Sequence, residues 1–306
     1  MFQKPVRYAS PESFNTTLFP FSIYKKHDSP SIYKFSILSD KQHLMDLNFI
    51  SFHDTTNESK ILYASDSVTD VLGYNPEDVV GRSAFEFLHP DEAPTIRRLN
   101  MARVQAQEVS ALTYCRYKRS DGEYADVEAI FHYCYDVVIL ATFLRRPETE
   151  RHLARAQSAL TLHIIRPDGS LEMVQGSENQ ERTMGQQIER YNWDDTQRSL
   201  EPRFAVILNR FTRSLSILFI SRAAQEMVDV RNEDAVGKSF FDYVDPRDQP
   251  QLRDALEEAK TTDEFVHVCF NWCTRGQVVC LLEGISSCTS DGIVVVFRKC
   301  IKQDIK

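Results

Sequence analysis

The sequence predicts an α+β fold made of two copies of one domain, each a five-stranded antiparallel sheet with helices on one face. The length of 306 residues suits two domains of roughly 100–200 residues. Residues 61–98 align without gaps to residues 217–254 at a constant offset of 156, with twelve of 38 positions identical. Strand-like and helix-like patterns also follow one another in the same order in both copies. A repeat of this length indicates a duplicated domain, because solenoid repeats run only about 20–50 residues.

The first copy begins with two short strands joined by TTNESK, followed by short helices, a longer helix and three strands. Alternating apolar and polar residues predict the strands, and Asn75 before Pro76 is a typical helix start. Apolar residues at helical spacing predict the longer helix, and SDGE is a turn between strands. The predicted strands and helices lie at 48–54, 61–64, 66–72, 76–80, 84–88, 93–107, 109–118, 124–133 and 136–144.

The second copy repeats this order with the same kinds of pattern. Its predicted strands lie at 203–209, 215–220, 265–273, 277–286 and 292–298, and its longer helix lies at 250–260. Helices on only one side of an antiparallel sheet give a two-layer α+β architecture. We therefore expect the same fold twice in the chain.

These patterns divide the chain into an N-terminal arm at 1–47, a first domain at 48–145, a connector at 146–201, a second domain at 202–300 and a tail at 301–306. The arm is rich in serine, proline and aromatic residues and has no sustained period, so it is either disordered or a cover for a sheet. The connector contains a predicted helix and a hairpin around a Pro-Asp-Gly turn. It is too structured for a flexible tether, so we expect the two domains to hold a preferred orientation.

Charge and composition exclude several classes of protein. With 36 basic and 44 acidic side chains the net charge is −8, and the basic doublets are scattered, so we expect no direct DNA binding. No apolar run reaches about 18 residues, which predicts no membrane span, and the first residues lack the apolar core of a signal peptide. Seven cysteines without a disulfide-like spacing indicate reduced thiols, and Cys269 and Cys273 have no second pair for zinc. We expect a cytoplasmic or nuclear protein.

The stretch LGYNPEDVVGRSAFEFLHPDE at 72–92 resembles the most characteristic segment of the PAS family. The second copy departs from it, because Asp229-Val230 stands where the first copy has Gly73-Tyr74. Two such domains with a structured connector resemble the PAS regions of white-collar-type fungal regulators and of basic helix-loop-helix PAS transcription factors. The resemblance implies a sensing or regulatory role, and it leaves the site to be argued from the residues themselves.

The photosensory branch of the family binds flavin and carries the marker Gly-Arg-Asn-Cys-Arg-Phe-Leu-Gln, whose cysteine forms the light-driven adduct. The matching positions 81–88 read Gly-Arg-Ser-Ala-Phe-Glu-Phe-Leu, so Ala84 replaces the cysteine. In the second copy Phe240 stands there. The arginine that pairs with flavin phosphate is also missing, with Glu86 and Asp242 nearby. The resemblance therefore implies no adduct chemistry.

Haem is the other family cofactor to consider, because haem-binding PAS domains commonly supply a histidine from the longer helix. Neither longer helix contains a histidine here. We interpret His89 as a capping or hydrogen-bonding residue of its His-Pro-Asp motif, and His132 and His267 as structural or surface groups of strands. No catalytic, cofactor-binding or metal-binding residue is predicted, although haem or another PAS ligand stays an open alternative.

The sequence contains none of the common catalytic motifs. It has no Gly-x-Ser-x-Gly, no His-Glu-x-x-His, no phosphate-binding glycine loop and no kinase signature. The neighbouring acids Asp194-Asp195 and Asp126 with Glu128 have no matching base, so we interpret them as solvated faces. The sequence does not predict an enzyme.

Two hypotheses for function follow. The leading one is a non-enzymatic tandem-PAS protein of signalling or transcriptional regulation, acting through dimerisation or through binding of another PAS protein. The alternative is a sensor that binds a small molecule or cofactor in a PAS cavity. An interior filled by side chains favours the first hypothesis, and a bound small molecule favours the second.

We expect association to use the outer face of a PAS sheet or the helical connector, because helices cover only one face of such a sheet. The alternation in the last two strands of the first copy predicts one apolar face, comprising several of Phe131, Tyr133, Tyr135, Val138 and Leu140. In the second copy, IVVVF at 293–297 is apolar on both faces, which predicts that its outer face is covered. The cover is either the arm or connector of the same chain or a partner surface.

The purified protein should show no flavin adduct cycle, because Ala84 and Phe240 stand at the adduct position. Absorbance spectra before and after blue illumination test this expectation. Bleaching of a blue absorbance band followed by slow recovery in the dark would contradict it.

Overall fold

The computed structural model describes residues 46–106, 109–134, 137–175 and 201–300. Both sheets belong to one compact unit, Met45–Lys306. The predicted arm at 1–47, apart from Asp46 and Leu47, and the tail at 301–306 lie outside the described residues. The predicted α+β architecture with two repeated sheets is confirmed.

The first domain contains the five predicted strands in one antiparallel arrangement, with helices between the second and third strands. Its elements are β1 Asn48–His53, β2 Ile61–Ala64, α1 Val68–Leu72, α2 Pro76–Val79, a 3-10 helix Ala84–Phe87, α3 Ala93–Ala106, β3 Ser110–Lys118, β4 Tyr124–Tyr133 and β5 Val138–Leu144. Strand β1 lies between β2 and β5, although it is remote from β5 in the chain.

The connector adds to the first sheet. It forms α4 Glu150–Ser158, β6 Thr161–Ile165 and β7 Leu171–Gln175. Strand β6 pairs in parallel with β3, and β7 pairs antiparallel with β6, so the first sheet has seven strands in the order β2-β1-β5-β4-β3-β6-β7. The Thr149 side chain accepts a hydrogen bond from the His152 backbone N–H and begins α4. The connector residues at 146–175 are therefore part of the first domain's structure.

The second domain repeats the first in order and topology. Its elements are β8 Arg203–Leu208, β9 Ile217–Ile220, α5 Ala223–Val228, α6 Asn232–Ala235, a 3-10 helix Phe240–Tyr243, α7 Gln249–Thr262, β10 Val266–Thr274, β11 Gln277–Cys288 and β12 Ile293–Lys299. The five strands lie in the order β10-β11-β12-β8-β9. Each of these strands pairs antiparallel with its neighbours.

The sequence difference between the two copies at the end of the first short helix does not change the backbone. Gly73 ends α1 in the left-handed conformation with a φ of 78°. Asp229 ends α5 in the same conformation with a φ of 54°. Aspartate adopts this conformation more readily than most residues, because its short polar side chain bonds locally. Both copies therefore make the same turn.

The inner face of each sheet and the helices enclose a separate hydrophobic core. The apolar face predicted for the last strands of the first copy is this inner face, with Phe131, Tyr133, Val138 and Leu140 in the core. Tyr135 lies outside the described residues. The helices thus cover the side that carries the aromatic residues.

The outer face of each sheet is buried as well. In the first sheet Ile50, Ile139 and Ala141 point away from the helices and are at most 2% exposed. In the second sheet Val294 and Val296 are fully buried although the helices lie on the opposite side. The apolar outer face predicted for the 293–297 strand is therefore covered.

The outer faces of the two sheets cover each other. The Nε2 atom of His132 in β4 lies 2.7 Å from the Ser287 hydroxyl of β11. The rings of Phe52 and Phe219 lie 4.8 Å apart between centroids. The sequence offered the arm, the connector or a partner as covers. In the described residues, the other domain and α4 of the connector provide the cover, while the arm, apart from Asp46 and Leu47, lies outside these residues. The sequence predicts association through the outer face of a sheet or through the helical connector. The first route is blocked while the two domains stay paired, and the second stays a prediction.

Polar contacts border the paired faces. The Asn48 side-chain oxygen accepts hydrogen bonds of 2.8 Å from the backbone N–H and from the hydroxyl of Ser290. The Ser65 and Ser67 hydroxyls donate to the two carboxylate oxygens of Asp291 at 2.6 and 2.7 Å. Directional bonds of this kind fix the register of two apolar surfaces that would otherwise slide.

Across the described ranges, no helix has the length and apolar character needed to cross a membrane.

The stability of the protein should fall at mildly acidic pH because of His132. Burial lowers the pKa of His132 from 6.5 to about 3. Between these values the unfolded chain binds a proton that the folded chain does not, so the free energy of unfolding decreases as the pH drops below 6.5. We expect His132 alone to remove about 2 kcal/mol between pH 7 and pH 5.

Urea unfolding at the two pH values tests this expectation. His132→Gln cannot titrate and should reduce the pH dependence by about that amount, roughly 2 kcal/mol. Ser287→Ala removes the hydrogen-bond partner and keeps the ring, so it should retain most of the wild-type dependence. An unchanged pH dependence in His132→Gln would contradict the assignment.

Candidate functional site

The first domain encloses a small cavity between its sheet and its short helices. The cavity measures about 30 Å³, which is room for one or two water molecules. Strand β1 alternates, so that Phe49, Ser51 and His53 face the cavity while Ile50 and Phe52 face the second domain. The lining residues are Phe49, Ser51, His53, Ile61, Ala64, Val68, Leu72, Val79, Ala84, Phe87 and Tyr117.

His53 is the main polar group of the cavity wall. Its Nε2 atom lies 2.8 Å from the Ser51 hydroxyl and its Nδ1 atom lies 3.2 Å from the Ser59 hydroxyl. Burial lowers the pKa of His53 to about 4, so the imidazole is neutral near pH 7. A neutral imidazole has one donor and one acceptor, and both ring nitrogens already have serine partners.

Ala84, at the position of the family's reactive cysteine, lines this cavity as expected from the alignment. Its methyl group offers no nucleophile. Glu86 lies at the surface and accepts a hydrogen bond of 2.8 Å from Arg82. The Arg82 guanidinium also lies 4.5 Å from the centre of the Phe87 ring. Arg82 and Glu86 thus form a surface pair outside the cavity.

The interior of the second domain is filled by aromatic rings where the first domain has its cavity. Phe240, at the position equivalent to Ala84, stacks on Phe297 with centroids 6.1 Å apart and meets Phe270 edge-on at 5.7 Å. Phe204 and Trp272 extend the cluster, 5.5 Å apart. All five side chains are at most 1% exposed. One substitution, alanine to phenylalanine, therefore marks the difference between the two interiors.

The aromatic cluster requires a glycine in the neighbouring strand. Gly284 of β11 pairs with Phe297 of β12, and a Cβ atom at Gly284 would lie 2.5 Å from Cδ1 of the Phe297 ring. Real Cβ atoms do not approach a ring so closely. Gly284 thus allows the Phe297 ring to lie flat across the strand.

A wider groove lies on the surface of the first domain between α3 and the turn of the β6–β7 hairpin. It measures about 290 Å³ and is open to solvent. At the edge of the groove, the Thr95 hydroxyl donates a hydrogen bond of 2.7 Å to the Gly169 carbonyl. Leu99 and Leu171 supply apolar walls, and Arg98 supplies a positive charge.

The buried charges of the molecule gather where α4 meets both domains. Arg155 of α4 is fully buried and donates to Glu128 at 2.7 Å, to Asp46 at 2.6 Å and to Asp263 at 3.2 Å. Its guanidinium also lies 4.3 Å from the centre of the Phe143 ring. We call this the Arg155 cluster, and its members are Asp46, Glu128, Arg151, His152, Arg155 and Asp263.

The remaining members pair the same carboxylates. Arg151 lies 2.6 Å from Asp263, and the His152 ring nitrogen Nδ1 bonds to Glu128. Burial opposes the charge of Arg155, but Glu128 and Asp46 outweigh it and hold the pKa of Arg155 above its usual value. Burial raises the pKa of Asp263, although Arg151 and Arg155 pull it down.

The sequence interpretation of Asp126 and Glu128 as one solvated face is wrong for Glu128. Asp126 is exposed, whereas Glu128 is 0% exposed on the outer face of β4. The two side chains that pair with Glu128, His152 and Arg155, come from α4 and lie 24 and 27 residues away in the sequence. The other acidic pair, Asp194-Asp195, lies outside the described residues.

The three histidines considered for haem lie in three different environments. The Nδ1 atom of His89 accepts a hydrogen bond of 3.3 Å from the Asp91 backbone N–H and so closes the turn after the 3-10 helix. His132 faces the second domain, and His267 lies on β10 at the edge of the second sheet. Over the described ranges, no group of three or more histidine, cysteine or acidic side chains is placed to hold a metal ion.

The geometry defines two sheets, each with five antiparallel strands wrapped by short helices and one longer helix, which is the architecture of a PAS domain. The chain matches family models described as PAS fold at residues 61–137 and 204–298, together more than half of its length. The chain therefore belongs to the PAS family and contains two PAS domains in tandem. PAS domains serve signalling and sensing, so the chain is placed among regulatory proteins.

A curated relative is an aryl hydrocarbon receptor nuclear translocator homolog of Drosophila melanogaster. It is 37% identical over 73 residues, which cover 22% of this chain and 11% of the relative. The chain thus spans about a tenth of the length of that relative.

Among solved structures the chain is similar to single PAS domains. One is the Drosophila melanogaster Cycle PAS-B domain with bound ethylene glycol, at 20% identity and a TM-score of 0.29, covering 32% of this chain and 99% of that domain. Another is the PAS domain of the Cronobacter turicensis RpfR quorum-sensing receptor in complex with BDSF, at 16% identity and a TM-score of 0.30, covering 36% of this chain and all of that domain.

Replacing Gly284 with alanine should destabilise the protein through the Phe297 ring. The added methyl group has no room, and overpacking of this kind costs about 1–3 kcal/mol. In a Phe297→Leu background the ring is absent, so the further cost of Gly284→Ala should largely disappear. Urea unfolding of the four proteins measures the coupling, and additive effects would contradict the proposed contact.

Proposed function

We propose that this chain is a non-enzymatic regulatory protein of signalling or transcription that works through protein–protein interaction. Its partner is a second copy or another PAS protein, and no direct contact with DNA is part of the proposal. The net charge of −8 supports the second point, because an acidic chain is repelled overall by the phosphate backbone. We place its action in the cytoplasm or the nucleus.

The filled interior of the second PAS domain is the observation that carries this proposal. Small-molecule sites in proteins usually measure about 300–1,000 Å³. Phe240 and its aromatic neighbours occupy the centre of the second domain, and the first domain holds a cavity of only about 30 Å³. Interiors packed in this way suit domains that act through their surfaces.

The similarity to the Drosophila translocator homolog supports the same class of partner. The match to that relative spans 73 residues of this chain. Because the outer sheet faces are paired within the chain, a partner would use other surfaces, such as the groove between Leu99 and Leu171, or the domains would have to separate first.

The alternative function is sensing of a small molecule in the first PAS domain. The cavity combines apolar walls with the His53 and Ser51 pair, which could exchange a hydrogen bond with a ligand. Its volume of about 30 Å³ limits such a ligand to a few atoms unless the wall moves.

Mass spectrometry of protein purified without denaturation distinguishes the two functions. We expect the mass of the polypeptide alone, in monomers or oligomers. A stoichiometric small-molecule increment would favour sensing instead, provided that Ala84→Leu, which fills the cavity, abolishes the increment while Val80→Leu at the surface does not.

Sedimentation tests the association itself. The full chain and a version lacking residues 1–47 are compared at tens of micromolar, roughly the weak end of specific association. We expect a dimer in at least one of them. If both remain monomeric, self-association is excluded and the partner must be a different protein.

A further inference from the structure

The Arg155 cluster joins three parts of the chain that are remote in sequence. Asp46 precedes β1, Glu128 lies on β4 of the first domain, and Asp263 ends α7 of the second domain. Arg155 is the residue that bonds to all three, through its Nε and both terminal nitrogens. Its own backbone belongs to α4, outside both repeated PAS segments.

We propose that Arg155 is a latch that holds the two PAS domains together, so that its loss separates the paired outer faces of their sheets. This inference concerns the conformation of the chain and does not depend on the proposed function. The latch acts across the domain boundary because two of its carboxylates belong to the first domain side and the third belongs to the second domain.

The energy at stake is large for a single side chain. Removing one partner of a buried ionic network is strongly destabilising, because it leaves uncompensated charge in the interior. Glu128 is 0% exposed, and the Asp46 and Asp263 side chains are 2% exposed, so water cannot solvate these carboxylates while the domains stay closed. Moving the domains apart restores their hydration, so loss of Arg155 favours the open arrangement.

Polar pairs border the apolar faces at the domain boundary. His132 with Ser287, Asn48 with Ser290, and Ser65 with Asp291 are hydrogen-bonded pairs. Water can replace each partner when the faces separate, so these pairs cost little to break. Domains of one chain move relative to one another unless their interface is large and hydrophobic, so the apolar faces, and not these polar pairs, oppose the opening together with Arg155.

Opening would expose the surface that this structure hides. The outer faces carry Ile139 and Ala141 on one sheet and Val294 and Val296 on the other, all fully buried in the closed arrangement. These apolar faces are then free to meet another sheet face. The latch thus determines whether the chain presents sheet faces or only edges and grooves.

The experiment compares two variants of the full chain with a matched control. Arg155→Gln removes the charge that all three carboxylates share. Asp263→Asn removes the second domain's carboxylate charge, which pairs with both Arg155 and Arg151, and keeps the left-handed helix end, since asparagine tolerates a φ of 60°. Arg166→Gln is the control, because Arg166 makes an exposed pair with Glu172 in the same connector.

Titration of the histidine rings by NMR reports on the opening at a distance from the latch. His132 lies in the paired faces, and burial holds its pKa at about 3, whereas His53 lies in the first domain's cavity with a pKa of about 4. In both variants we expect the pKa of His132 to move up toward 6.5, by more than one unit, while that of His53 stays in place. The control should match the wild type.

Two results would overturn the latch. If His132 titrates as in the wild type in both folded variants, Arg155 does not hold the faces together. If His132 and His53 shift together, the cluster stabilises the first domain's own fold and not its pairing with the second. Should Arg155→Gln fail to fold, Asp263→Asn alone decides between these outcomes.

Discussion

The outer face of each PAS sheet has to be covered, and this requirement shapes the molecule. Helices can cover only one side of a five-stranded sheet, yet the central strands β5 and β12 are apolar on both sides. Because the domain is duplicated, the chain contains a second sheet whose outer face is also apolar and uncovered by its helices. The two faces meet, so that each domain completes the burial of the other.

Apolar burial by itself does not specify how two sheets are aligned. The polar pairs at the boundary and the Arg155 cluster supply direction, since a hydrogen bond or ion pair is lost on a shift of a few ångströms. A buried ionic network is often no more stabilising than a packed apolar one, and its best-attested use is to fix a unique arrangement. The placement of Arg155 between three segments fits that use.

The internal repeat made most of the fold predictable. Residues that define the backbone turns, such as Gly81 and Gly237, recur at the same offset, and both have a positive φ near 85°. The apolar outer face of the 293–297 strand was also visible, because its residues are apolar without alternation. The sequence analysis used Ala84 and Phe240 only to exclude adduct chemistry, although one small and one large residue at matching positions also account for the difference between the two interiors.

The boundary between the domains could not be predicted in this way. The sequence alone suggests that Glu128 is a surface acid, because its partners lie on α4, far away in the chain. Likewise, Asp263 at the end of α7 meets Arg155 only when the whole chain is folded. His132 gave no signal that Ser287, more than 150 residues away, would be its neighbour. The spacing of apolar residues along a strand or helix predicts which side faces the core. It does not predict which residues of two distant segments contact each other across their outer faces.

The parallel pairing of β6 with β3 has a practical consequence for dividing the protein. The match between the two copies suggests a cut near residue 145, where the repeated strands end. Such a cut would remove β6, so that β3 would pair only with β4. The long strand β3, Ser110–Lys118, would then be an unpaired edge open to intermolecular pairing. A fragment meant to represent the first domain alone should therefore run on to Gln175, so that the short β7, and not β3, forms its border.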